Sequence, residues 1–71
     1  MKQVYTHENR LLVSNARNIL EAEGVELQVR NEYAAGAAGD LAPLDAWMEL
    51  WVVNNRDYTR AHDLIDSAFN H

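Results

Sequence analysis

Gly36 and Gly39 bracket two alanines in a stretch that also carries Glu32, Asp40 and Asp45, with Glu49 just beyond it. Two chemistries suit such a segment. Backbone N–H groups in a glycine-containing turn can form a nest for an anion, and spaced carboxylates can ligate Mg²⁺ or Ca²⁺ through oxygen. The first fits poorly. Walker and dinucleotide fingerprints require more glycines, the former also a Lys-Ser/Thr pair, and the surrounding carboxylates oppose a phosphate. The second lacks the alternating ligand spacing of an EF-hand. We read the glycines as turn formers that allow positive φ and the acids as solvated groups, so no metal is expected.

The other reactive side chains do not assemble into a known constellation. His7, His62 and His71 show no i, i+4 zinc spacing, and the chain has no cysteine to complete a site. Ser14 and Ser67 fall within predicted helices without a nucleophile elbow. Ser67, His62 and Asp63 crowd one helix, where neighbouring positions diverge, so they make a poor triad. The expectation is a protein with no catalytic residues and no cofactor.

These residues sit in a 71-residue chain that is 48% hydrophobic, enough for one globular domain over residues 1–71. Per-residue scaling gives a net stability of about 4–10 kcal/mol. Eleven acidic residues against six basic ones give a net charge of −5. Arg10, Arg17, Arg30, Arg56 and Arg60 are dispersed, and Lys2 is the only lysine. Phosphate backbones repel such a surface, so neither nucleic acid nor an anionic membrane is an expected partner. Residues Met1 to Thr6 carry no signal-peptide h-region, and no apolar run approaches the ~20 residues of a membrane span. A cytoplasmic location is expected.

The elements that must position these side chains are legible in the hydrophobic pattern. Residues 3–6 are a short β-rich opening strand. A helix over 9–23 follows, with Asn9 as the first choice of N-cap and Thr6 as the other, Leu12, Ala16, Ile19 and Leu20 as its apolar stripe, and Gly24 as the left-handed residue that ends it. Residues 25–30 alternate strictly, with Val25, Leu27 and Val29 opposite Glu26, Gln28 and Arg30. Residues 48–53 are almost continuously apolar, as in a central strand buried on both faces. Asn54 and Asn55 are expected to cap a second helix over 56–69, whose stripe is Tyr58, Ala61, Ile65, Ala68 and Phe69, with Leu64 beside it.

The order is β-α-β-β-α. A right-handed crossover from the first strand to the second leaves a gap for the more apolar third. The predicted fold is α+β, a ferredoxin-like split β-α-β with a three-stranded antiparallel sheet of order 1-3-2 and both helices on one face. If Leu50 and Val52 face the helices, then Tyr5, Trp51 and Val53 fall on the uncovered face, together with Glu26, Gln28, Arg30 and Glu49. An apolar patch of that kind needs a cover.

Between the second and third strands lies residue stretch 32–47, with no period of 2 or 3.6 residues. Compared with a two-residue hairpin link, it raises the ordering cost by roughly 2 kcal/mol. Loops of this length in compact domains are usually functional or mobile. We take Asn31, Glu32, Tyr33, Gly36, Gly39, Asp40, Pro43 and Trp47 as a candidate partner or ligand loop, with Trp47 packing its end onto the domain. Tyr5, Trp51 and Val53 are the candidate interface face.

Several segments carry a resemblance: Val4-Tyr-Thr, Leu20-Glu-Ala-Glu-Gly-Val, Arg30-Asn-Glu-Tyr, Gly36-Ala-Ala-Gly-Asp-Leu, Glu49-Leu-Trp-Val-Val and Tyr58-x-Arg-Ala. Together they make essentially the whole chain resemble the prokaryotic family described as "putative signal transducing protein", of unassigned biochemical function. Asp40 stands where that family's pattern has Glu, and Ala42 where it has a second proline. The resemblance implies a fold like the nitrogen-regulatory PII proteins, in which a long loop joining strands 2 and 3 engages partner proteins and nucleotides bind between subunits. The expectation is a non-enzymatic binding or regulatory module that presents the 32–47 loop and open sheet face to a protein partner or to its own copy, as a homodimer. The alternative is a sensor binding a metabolite or nucleotide at the boundary between loop and subunit.

Overall fold

The computed structural model describes residues 1–32 and 47–69. The expectations for Tyr33, Gly36, Gly39, Asp40 and Pro43, and those for Asp45 and His71, lie outside the described residues. The elements are β1 (Lys2–Thr6), α1 (Arg10–Ala22), β2 (Leu27–Arg30), β3 (Glu49–Val52), a 3-10 turn (Asn55–Asp57) and α2 (Tyr58–Phe69).

The three strands form one sheet of order β1-β3-β2, antiparallel at both contacts. This is the α+β, ferredoxin-like arrangement expected from the crossover argument. Leu50 and Val52 of β3 are 0% exposed and share one core with Val13, Ala16 and Leu20 of α1 and Ala61 and Ile65 of α2. Both helices therefore cover the same face of the sheet.

Local chemistry sets the ends of α1. Asn9 has extended backbone (φ −84°, ψ 107°), and its Oδ1 accepts the Leu11 N–H at 3.0 Å. That satisfies one of the unpaired donors of the first turn. At the other end Gly24 adopts φ +78°. The Gly24 N–H donates to the Glu21 carbonyl and the Val25 N–H to the Leu20 carbonyl, both at 3.0 Å. These are the two bonds of a Schellman motif, and buried Val25 and Leu20 supply its apolar contact. The chain thus leaves α1 already aimed into β2.

Several details differ from the sequence reading. The buried stripe of α1 is Val13, Ala16 and Leu20, with Leu12 and Ile19 at its margins and Leu11 72% exposed. In the run Leu11-Leu12-Val13 the phase of the helix is ambiguous, and packing against the sheet selects Val13. The strand β3 is central but buried on one face only, since Glu49 and Trp51 stay half-buried. Asn54 makes no side-chain cap. Instead its carbonyl accepts the Asp57 N–H at 2.9 Å and a 3-10 turn leads into α2. Within α2, Ala68 is exposed, and Ala61 and Ile65 form the buried stripe.

Tyr5 is the largest correction. The register runs Gln3↔Trp51, then Tyr5↔Leu50, so β1 carries a bulge between Gln3 and Tyr5. The inserted residue moves Tyr5 off the Trp51 face. Tyr5 lies opposite Leu50, packs against the core, and stacks on Phe69 of α2 with ring centroids 5.7 Å apart.

Candidate functional site

The sheet face turned away from the helices is centred on Trp51. Its cross-strand neighbours are Gln3 of β1 and Gln28 of β2, while Arg30 and Thr6 flank Glu49. Among the described residues no element packs over this face. Period-two alternation on β2 and β3, together with the bulge in β1, places these residues together, and Leu50 and Val52 on the core side hold the strand that carries Trp51 and Glu49.

Charged groups engage the indole at two points. The Arg30 guanidinium carbon lies 4.1 Å from the centroid of the Trp51 ring, and the indole N–H donates to Glu49 Oε1 at 2.9 Å. A cation over the negative π face and a carboxylate at the positive N–H edge match the charge distribution of the ring. Trp51 is therefore held in one orientation although, among the described residues, no core surrounds it. Arg30 also reaches Met1, with Nη2 3.8 Å from Sδ, and half of Met1 is exposed. An aromatic plate with a cation, an anion and two flanking glutamines can take up an apolar group and answer polar groups of either sign beside it.

The root of the 32–47 segment is tied to this face and to α1. Asn31 follows Arg30 and adopts φ +59°, a left-handed conformation that asparagine tolerates better than most residues. Its Nδ2 donates to the Trp47 carbonyl at 3.1 Å, which joins the two ends of the segment across the β2–β3 pair. Arg10 Nη1 donates to the Asn31 carbonyl at 3.5 Å. Arg17 Nη1 donates to Glu32 Oε1 at 2.7 Å, and Arg17 Nε stands 3.5 Å from Glu21. Trp47 is half-buried next to buried Met48, whose carbonyl accepts the Thr6 hydroxyl at 2.9 Å. Asn31, Glu32 and Trp47 thus share one place, as the sequence reading grouped them. Val53 lies just past the end of β3, where its N–H donates to the Glu26 carbonyl at 3.1 Å.

Three of these interactions have no counterpart in the sequence reading. The Arg30–Trp51 stack is a diagonal contact, visible only once the β2–β3 register is known. The clamps from Arg10 and Arg17 carry a fainter signal: two arginines seven residues apart on α1, facing a loop root with Asn31 and Glu32.

The reactive side chains weighed above are dispersed. His7 Nδ1 accepts the Asn9 N–H at 2.9 Å, a local turn contact. His62 is exposed, 3.7 Å from Asp63 Oδ1 and stacked near Tyr58. Among the described residues no group of three or more His, Asp or Glu side chains could hold a metal ion, and no helix is long and apolar enough to cross a membrane.

The family model described as "Putative prokaryotic signal transducing protein" matches residues 1–68, and the chain belongs to that family. No curated protein and no solved structure matches the chain.

Proposed function

We propose that this member of the family is a non-enzymatic binding module of the bacterial cytoplasm, whose working surface is the Trp51 face of the sheet together with the adjoining 32–47 segment. The occupant is a partner protein or a second copy of the chain in a homodimer. The segment between β2 and β3 then acts as its counterpart does in PII proteins, as a presented element, which is an analogy of fold alone. One observation carries the reading. A tryptophan oriented by Arg30 and Glu49 occupies the centre of a sheet face that no described element covers. Aromatic residues and arginine are enriched where protein interfaces concentrate their binding energy.

Trp51→Glu tests this reading. The variant is expected to stay folded, with resonance dispersion like that of the wild type, and to lose association. Sedimentation equilibrium at high micromolar concentration reads the homodimer directly, and a monomeric wild type sinks self-association. Unfolding of Trp51→Glu would place Trp51 in the core and sink the face assignment itself. A thermal-shift screen separates the sensor alternative, since a rise of several degrees with one class of nucleotide or metabolite would favour it.

A further inference from the structure

The chain has two methionines, and they stand in opposite surroundings. Met48 is 2% exposed within the core, whereas Met1 is 50% exposed. Met1, the residue before β1, holds its Sδ 3.8 Å from Arg30 Nη2. That is the same guanidinium that lies over the Trp51 ring. The contact therefore joins the leading end of one outer strand to the other, across the β3 strand that carries Trp51. A thioether sulfur is only a weak acceptor, so this donor is poorly served as it stands.

We propose that Met1 is a reversible oxidation site, at which a hydroperoxide converts the thioether to a sulfoxide that Arg30 then binds. In the step a sulfur lone pair attacks one peroxide oxygen, an S–O bond forms and the O–O bond breaks. The proton of the transferred oxygen goes to the departing hydroxide, so hydrogen peroxide leaves as water. Sulfur loses two electrons and the peroxide gains them. Methionine sulfoxide reductases reverse the change.

Access selects the residue. A peroxide reaches half-open Met1 in the folded state, whereas buried Met48 waits for the fold to open. Arg30 supplies the receptor. An ionised N–H donor beside the sulfur gains a true oxygen acceptor, and such charge-assisted bonds are the stronger ones. The unbranched methionine side chain has three rotatable bonds, so either sulfoxide epimer can turn its oxygen to Nη2. Drawing the guanidinium toward that oxygen shifts it on the indole. In a core, oxidation ruins packing; here it exchanges a weak surface contact for a stronger one and leaves the fold intact. If the Trp51 face is the working surface, a consequence that rests on the reading above, oxidation makes an apolar part of its rim polar.

The test is mild oxidation of the ¹⁵N-labelled full chain with hydrogen peroxide. Met1 is expected to gain one oxygen at least about tenfold faster than Met48, as located by fragment masses. The Trp51 indole N–H and Arg30 Nε–H resonances should move with that oxygen and return when both sulfoxide reductases act with a thiol. Met1→Leu should show no such movement; it and the wild type are released from a cleavable N-terminal fusion, so that residue 1 is present in each. Arg30→Ala should still take oxygen at Met1 while its Trp51 signal stays in place. An indole shift of the same size at two protein concentrations separates this contact from association, so either reading can fail alone. Three results would overturn the proposal: Met48 oxidised as fast as Met1, a Met1 sulfoxide with the Trp51 and Arg30 signals unmoved, or an equal indole shift in Met1→Leu or Arg30→Ala.

Discussion

Leu50 and Trp51 are neighbours on β3, yet their environments have little in common. Leu50 and Val52 are 0% exposed and share one core with both helices' buried stripes. Trp51 and Glu49 point the other way, where half-buried Trp51 meets a guanidinium and a carboxylate. The inner face is built from shape and apolar area, so it tolerates little change in volume. The outer face is built from directional contacts between polar groups and one ring, so it can exchange those contacts for others. This contrast assigns stability to one face and recognition to the other.

The largest expected effect lies on the inner face. Leu50→Ala removes packing at the centre of the core and should cost about 3 kcal/mol in urea unfolding, within the 2–5 kcal/mol range of such deletions. A loss under about 1 kcal/mol would break the comparison from the inside. Next is the root of the 32–47 segment. Asn31→Ala deletes the bond to the Trp47 carbonyl and places alanine at φ +59°, with an expected loss of about 1–2 kcal/mol. A variant at wild-type stability would show that the two ends of the segment are not held together by this residue.

Smaller still is Arg30→Ala. Losing the cation over the ring at an open site should cost about 0.5–1 kcal/mol and change the Trp51 fluorescence while the core stays intact. A larger loss would mean that Arg30 supports the fold. The smallest effect is one of pH. Burial raises the Tyr5 hydroxyl above its ordinary pKa of 10.0, so the folded state keeps that proton to higher pH than the unfolded state does. The contribution is complete below the unfolded value and is lost as pH rises through the folded one. Stability should therefore decline in alkaline solution above pH 10.0, and Tyr5→Phe should remove that part of the decline. An unchanged profile in Tyr5→Phe would contradict the core-side placement of Tyr5.

Much of this architecture was legible in the residues. Strict alternation over Val25–Arg30 and the apolar run Met48–Val53 located two strands, and connection handedness ordered the sheet. Asn9 and Gly24 marked the ends of α1 because each performs a job that few residues can. The outward facing of Trp51 follows only if Leu50 and Val52 face the helices, a condition that the continuously apolar run of β3 does not set by itself and that their full burial meets. Tyr5 defeated the same logic, because one inserted residue reverses every facing beyond it, and five residues of β1 hold no periodic signal of a bulge. Leu12 was preferred over Val13 because three successive apolar residues leave the rotation of a helix open. The Arg30–Trp51 stack depends on register, a tertiary quantity that no local pattern encodes.

The same substitution at adjacent positions compares the two faces most directly. Threonine favours strands, so Leu50→Thr and Trp51→Thr differ mainly in which face they alter. Urea unfolding of the pair should show Leu50→Thr losing about 3 kcal/mol or more, since it opens a cavity and buries a hydroxyl. Trp51→Thr should keep a cooperative transition and lose about 1–2 kcal/mol, the worth of one partly covered ring and its two polar contacts. Losses of equal size would contradict the account, because Trp51 would then hold the fold as Leu50 does.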